Sequence, residues 1–544
     1  MLRNVILTIV VWFFLIALDA AGCTSLLVTA GASTDGSTMI TYTCDGEFHP
    51  HLEYLPAADY AAGDSLEIVD WHGKKKGKII QAPHTYAVVG MMNEHQLAIS
   101  ETTFDGRPEL ENKEGMLHYF DLIILALQRS KTARDAINVM TALCNEYGYG
   151  ATGESFSIAD TKEVWIMELI GMGPGRKGAV WVALRVPDGY IAAHANKARI
   201  GEFPLDDPKN CLYSENVISF AVEMGYYNPE SGKPFRFCDI YCPPTPKNQR
   251  YAEARVWSLF RRAAPSLNLS PDFHRGLPGA QPYPLWVKPD HRISVADVMS
   301  LMRDHYEGTA YDMTQGIDAG PYNSPYRWRP MNWVVDSVEY AWERPISTQQ
   351  TAFSFISQSR AYLPDDVGGL LWYGVDDTYT TCYFPLYCSI SEIPHSCGVG
   401  ELSRFSWESA WWVFNFVANF ANLKYSYMIK DIQAVQSEME AAFLQLQPVV
   451  EKSALHLIES DRALAIRYLT DYSVSGGERV TARWRDLAEE LIRKYNDGYV
   501  QDSTGRPEEV GYPEEWLRNV LKQRSEQFRL PTKAPDAVES RLID

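Results

Sequence analysis

Short apolar and polar alternations, punctuated by turn residues, dominate the first two hundred positions of the chain. Residues 24–30 and 37–42 read as extended segments, separated by Gly31 and the Asp35-Gly36 turn. Residues 85–89, 97–103, 155–159 and 164–169 continue the theme. Residues 119–129 and 133–147 instead space their apolar side chains three and four apart, the helical period. Strands interleaved with paired helices predict an antiparallel sheet sandwich covered by helices, an α+β chain. Residues 205–300 are richer in Pro and predict long surface excursions. Ser294 offers an N-cap for a helix over 294–305, and a Gly- and Trp-rich block follows through Asp376. Helical patterning returns over 407–469, with 423–447 as one long candidate, and again over 483–495. The sequence holds no internal repeat and no low-complexity tract. At 544 residues the chain exceeds the size at which one core stops growing. The expected division is a short leading segment over 1–22, a main domain over 23–400 and a mostly helical C-terminal region over 401–544, with a frayed tail after Arg529.

The first residues change this picture. Arg3 precedes a mostly apolar run over 5–18, too short for the roughly 20 residues that span a bilayer. Small residues follow at Ala20-Ala21-Gly22, the layout of a signal peptide, so export and cleavage before Cys23 are expected. No later run has that length and purity, and stable membrane insertion is not expected. A net charge of −19 argues against nucleic acid, whose phosphates need clustered Lys and Arg. The run Lys74-Lys75-Lys76-Gly77-Lys78 reads as a solvated turn. Of nine cysteines, eight remain once Cys23 is set aside, an even set that either pairs in an oxidising space or stays as buried thiols. Cys238 and Cys242 have no second Cys or His pair at zinc spacing, so no metal is expected.

Cleavage after Gly22 would give Cys23 a free α-amine beside its thiol. A thiol titrates near 8.5 and an α-amine at about 7.7–8.0, so the amine can be partly neutral and accept the thiol proton. One residue then supplies nucleophile and general base, the arrangement known for N-terminal threonine. Two readings compete at this point: a lipid-attachment cysteine, for which the favoured leucine is replaced by Ala20, and a structural disulfide.

The residues after the cysteine add a resemblance. Cys23-Thr24-Ser25-Leu26-Leu27-Val28 and Thr34-Asp35-Gly36-Ser37-Thr38 are followed by Met92-Asn93-Glu94-His95 and Glu101-Thr102-Thr103-Phe104. Then come Glu154-Ser155-Phe156-Ser157-Ile158-Ala159-Asp160, Glu163-Val164-Trp165-Ile166-Met167-Glu168, His194-Ala195-Asn196, Asp304-His305-Tyr306-Glu307-Gly308-Thr309 and Arg360-Ala361-Tyr362-Leu363-Pro364. In this order the blocks resemble the N-terminal-nucleophile cysteine dipeptidases, a family that includes dipeptidase A and the secernins. That family is related to choloylglycine hydrolase and penicillin V acylase. The resemblance implies a four-layer αββα N-terminal-nucleophile hydrolase sandwich, here with a helical C-terminal extension, and hydrolysis of dipeptides through a thioester acyl-enzyme.

It also assigns expectations to residues. Asp45 matches the Asp that holds the α-amine, Asn196 matches an Asn that stabilises the tetrahedral intermediate, and Arg255 corresponds loosely to a late arginine of the acylases. Read without the family, these are a turn residue, a loop cap and a helix-surface ion pair. Tyr42 stands where the acylases carry an arginine that polarises the thiol; a phenol donates one hydrogen bond but carries no charge. Tyr42, Asn93, Glu101, Thr102 and Thr103 are the expected substrate-binding residues, with His95 nearby. Thiol, amine and hydrogen-bond donors suffice for acyl transfer, so no cofactor is required. The expected partners are small peptides, and the sequence leaves a homo-oligomer open. The competing functions are an amide acylase acting on N-acyl amino acids or conjugated bile salts, and a non-catalytic, lipid-anchored surface protein.

Overall fold

A computed structural model of the chain describes residues 22–70 and 73–530. The leader therefore lies outside the described residues except for Gly22, as does the tail beyond residue 530. The described chain opens on β1 (Gly22–Val28) and β2 (Met39–Asp45), antiparallel with Cys23 opposite Cys44 and Gly22 opposite Asp45. Short β3 (Tyr54–Leu55), β4 (Val88–Val89) and β5 (Met92–Asn93) lead into β6 (Ala98–Phe104). After α1 (Tyr119–Arg129) and α2 (Ala133–Tyr147) come β7 (Gly153–Ala159), β8 (Val164–Gly171), β9 (Ala179–Arg185), β10 (Ile191–His194) and β11 (Cys211–Tyr213). Helix α3 (Ala254–Ala263) and β12 (Trp286–Val287) precede β13 (Thr351–Gln358), β14 (Leu370–Val375) and β15 (Phe384–Tyr387). Three further helices follow: α4 (Ala410–Ala421), α5 (Tyr425–Ser460) and α6 (Arg462–Lys494).

These strands form two sheets, one in the order β12-β10-β1-β2-β13-β14-β15 and one in the order β11-β9-β8-β7-β6-β5-β4-β3. Every ladder in them is antiparallel, as an α+β chain requires. The sheets meet through small polar side chains: Ser25 Oγ lies 3.4 Å from Ser100 Oγ, and Ser100 Oγ donates to Thr41 O at 3.0 Å. His194 bridges the two, with Nδ1 at 2.7 Å from Thr102 Oγ1 and Nε2 at 2.7 Å from Ser157 Oγ. Helices α1 and α2 pack on the sheet that contains β6, and α4, α5 and α6 pack on the sheet that contains β14 and β15. Trp484 and Leu487 of α6 belong to the same apolar cluster as Leu371 and Phe384 of the sheet.

Local chemistry sets the helix ends. Thr132 caps α2 by accepting from Asp135 N at 3.2 Å, and Ser294 caps a short helix, Val295–Leu301, through Asp297 N at 3.1 Å. That helix stops four residues before the expected end at 305 because Asp304 is recruited elsewhere, accepting from Ser258 Oγ at 2.5 Å. The long candidate over 423–447 continues through Pro448 to Ser460, where extended Asp461 (φ −154°) ends α5 and caps α6.

Candidate active site

Strand pairing places the cysteine. Cys23 is the second residue of β1, with Cys44 of β2 beside it and Phe353 of β13 next across the ladder. Its thiol lies 3.8 Å from Tyr42 Oη and 3.8 Å from Glu101 Oε1. The Tyr42 hydroxyl donates to Glu101 Oε1 in a short hydrogen bond, and its ring stands edge-on to Phe353 and Phe355. A hydrogen bond with the Cys44 thiol, burial and the Glu101 carboxylate push the Cys23 thiol well above its ordinary range. The resting group is therefore a thiol, and a thiolate would form there only with a base at hand.

Residue 22 is joined to Cys23 in the described chain, so Cys23 N is an amide there. It donates to Asn196 Oδ1 at 2.9 Å. Asn196 sits in the left-handed region (φ 62°), which Asn tolerates better than most residues, at the turn after β10. Its Nδ2 donates to Thr103 O at 2.7 Å, and Arg255 Nη2 donates to its Oδ1 at 2.9 Å, so its neighbours fix which end of the amide faces which partner. One amide proton of Asn196 remains for a further acceptor. Arg255 on α3 also donates to Cys23 O at 2.6 Å and Thr24 Oγ1 at 2.9 Å. Burial and the neighbouring Arg344 cation push its pKa down to about 9, which still leaves it charged at neutral pH.

Asp45, at the far end of β2, accepts from Thr351 Oγ1 at 2.6 Å and from Arg344 Nη2. The same Arg344 Nη2 donates to Gly22 O at 2.9 Å. A Cβ at Gly22 would stand 2.2 Å from Arg344 Nη2, so a larger residue there would have to push the guanidinium aside. Asp45 is thus tied to Arg344 rather than to the Cys23 nitrogen while residue 22 is attached.

Two of the expected substrate-binding residues are engaged elsewhere. Asn93 is fully buried; its Nδ2 donates to Leu127 O and Ser130 O, and its Oδ1 accepts from His95 N and Leu97 N. It pins a turn and has no atom left for a ligand. Thr102 points to the opposite face of β6 from its neighbours and bonds His194. Tyr42, Glu101 and Thr103 are the members of that group brought to the thiol side, where Thr103 Oγ1 donates to Glu154 Oε1 at 2.8 Å.

The sequence model of peptidase family C69 matches residues 22–438. The chain belongs to peptidase family C69. It is similar to a probable dipeptidase of Salmonella dublin, 29% identical over 417 residues that cover 70% of this chain and 84% of that protein. It is also similar to a probable dipeptidase of Latilactobacillus sakei (24% over 427 residues, 75% and 82% of the two chains) and to dipeptidase A of Lactobacillus helveticus (24% over 446 residues, 78% and 85%). As a C69 member the protein is a peptide-bond hydrolase.

Within this C69 site, Arg344, Thr351, Cys44 and Glu154 are contributors that reading the sequence for function passes over. Glu154 falls in a block that resembles the family, but its place beside Thr103 follows only from the β6–β7 register. Arg344, in Glu343-Arg344-Pro345, carries no local signal and lies 299 residues from its partner Asp45. All nine cysteines are free and buried. Among the described residues no group of three or more His, Cys, Asp or Glu side chains could hold a metal ion, and no helix is long and apolar enough to cross a membrane.

Two cavities flank the C69 site. One of about 440 Å³ is largely apolar, lined by Leu55, Leu66, Met91, Phe120, Phe353 and Tyr373, and lies beyond the Phe353 ring that touches Tyr42. The other, about 350 Å³, is lined by Arg250, His274, Arg275, Tyr306, Tyr311 and Arg344, so Arg344 stands between it and Gly22. The thiol itself lines neither.

Proposed function

We propose that the protein is an exported dipeptidase whose nucleophile is Cys23, released as the N-terminal residue when residues 1–22 are removed. The observation that carries this reading is the placement of one residue. Cys23 N is held at 2.9 Å by Asn196 Oδ1, while Cys23 Sγ faces Tyr42 and Glu101 in a peptidase of family C69 whose named relatives are dipeptidases. Helices on each of two facing sheets support reading the fold as the four-layer αββα sandwich of N-terminal-nucleophile hydrolases.

With residue 22 gone, the nitrogen becomes an amine that Asn196 Oδ1 keeps in place. Loss of Gly22 also vacates the space between Arg344 and the end of β1. The neutral amine takes the thiol proton, and the thiolate attacks the carbonyl carbon of the dipeptide. The remaining amide proton of Asn196 and the cationic field of Arg255 favour the developing oxyanion. The ammonium returns its proton to the departing amino acid as the C–N bond breaks, leaving a thioester on Cys23. Water, deprotonated by the same amine, then releases the second amino acid. Asp45 is neutralised by Arg344, so it orients the N-terminus without holding the amine permanently charged.

Intact mass and N-terminal sequencing of the exported protein, with dipeptide hydrolysis assayed on the same sample, test this reading. The expected chain begins at an unmodified Cys23, and Cys23→Ala leaves less than about one-thousandth of the activity. An active chain that starts elsewhere, or that carries lipid on Cys23, would refute the amine as base. Hydrolysis of N-acyl amino acids in place of dipeptides would move the protein to the acylases.

A further inference from the structure

Glu101 on β6 and Glu154 on β7 lie against each other in the wall beside the thiol, and both are fully buried. Tyr42 donates to Glu101 Oε1 and Thr103 Oγ1 to Glu154 Oε1. The two carboxyls also hydrogen-bond each other, and beyond that bond the Oε2 of each meets no donor among the described residues. Two ionised carboxylates cannot persist side by side in such a place. Burial accordingly pushes both pKa values up, Glu154 the further. With one proton between them the pair carries a single negative charge and still has acceptor positions to fill.

We propose that the Glu101–Glu154 pair receives the free α-ammonium group of the substrate's N-terminal residue, so that this enzyme requires an unblocked amine. The inference rests on the dipeptidase reading and deepens it by naming what the site recognises. Distances are consistent. A thiolate poised for attack stands about 3–3.5 Å from the carbonyl carbon. The α-nitrogen of the same residue is two bonds from that carbon, about 2.5 Å away. An ammonium so placed comes within hydrogen-bond reach of a carboxyl oxygen that lies 3.8 Å from the sulfur, as Glu101 Oε1 does. Its three N–H donors and unit positive charge complement the unfilled oxygens and the net charge of the pair. Tyr42 and Thr103 then act as positioning residues that hold the two carboxyls toward the substrate. An N-acylated substrate would instead leave the carboxyls uncompensated and bring no charge to them.

The test compares an alanyl dipeptide with the N-lactoyl amino acid that replaces its α-amine by a hydroxyl and changes little else. On the processed wild-type enzyme, kcat/KM is expected to fall at least about 100-fold for the hydroxyl substrate, because a site built for a charged donor rejects the analogue that lacks it. In Glu101→Gln the ratio of the two rates collapses toward unity. The wild-type comparison needs no variant and stands even if Glu101→Gln fails to fold. Equal wild-type rates on both substrates, or a Glu101→Gln variant that loses both in the same proportion, would overturn the amine site and leave the dipeptidase reading intact. Hydrolysis of neither substrate by a processed chain would overturn both.

Discussion

Arg344 changes what the residues around the proposed nucleophile, Cys23, can do. A lone Asp45 near the N-terminus would stabilise the protonated amine and so oppose its use as a base. The guanidinium of Arg344 bonds the carboxylate and cancels most of that field. The processed Arg344→Gln enzyme should therefore have a more basic Cys23 amine. Its neutral form is then populated only at higher pH, and the acid limb of kcat/KM on a dipeptide should move up by about one pH unit, as full pH–rate profiles would show. Asp45→Asn should move the limb the other way. An unchanged limb in both variants would mean that the titrating base is not the amine. Of these residues, Cys23 drew notice in the sequence because it follows small residues after an apolar run. Asp45, Asn196 and Arg255 were singled out only by resemblance; the structure gathers Asn196 and Arg255 around Cys23 and ties Asp45 to Arg344. Arg344 was not legible, since its meaning depends on a partner 299 residues away.

At the scale of elements, helical period made α1 and α2 readable to their ends; α2 buries one face and leaves Asp135, Asn138, Asn145 and Glu146 exposed, while α1 is at least half-buried all round. Strands β13 and β14 escaped the same reading because they are buried along their whole length and show no alternation. Glu101 and Thr102 show the corresponding limit within a strand. Adjacent in sequence, they belong to opposite faces of β6, and only the register tells which one meets the thiol. The paired glycines of α6 allow an experiment on element packing. A Cβ at Gly476 would meet Phe443 at an ordinary 3.4 Å, whereas at Gly477 it would stand 2.5 Å from Pro394 Cγ and 2.9 Å from Phe384 Cε2. Gly476→Ala should gain up to about 1 kcal/mol from helix propensity. Gly477→Ala should instead lose stability, by about 1–3 kcal/mol, because the rigid proline and the β15 aromatic cannot give way without moving α6 off the sheet. Thermal unfolding of the two variants decides between them, and equal stabilisation by both would show that α6 is not seated as closely as Gly477 implies.

The whole molecule is held at its centre by a seam of serines, threonines and one histidine rather than by apolar side chains alone. His194 joins the two sheets there and is fully buried, and burial, with Arg199 nearby, pushes its pKa down to about 3. A neutral imidazole can donate from one nitrogen to one hydroxyl and accept at the other, which suits Thr102 and Ser157; an imidazolium would leave a buried charge without a counter-ion. The folded state therefore refuses a proton that the unfolded chain accepts below about pH 6.5. Between these two pKa values the unfolded state binds more protons, so the contribution of His194 is complete above pH 6.5 and is lost as pH falls toward 3. Glu168, buried and raised to about 7, works in the opposite sense over part of this range, because its folded form prefers to be protonated. The net curve of the wild type is a sum of such terms, and a comparison with His194→Gln isolates one of them. Gln keeps an amide donor and acceptor but does not titrate. At pH 7.5 the variant should be the less stable protein, and by pH 5 the gap should close by about 2 kcal/mol, measured by chemical unfolding at each pH. A gap that stays constant across that range would mean that the seam takes up its proton without cost, and that the two sheets are not joined by a neutral histidine.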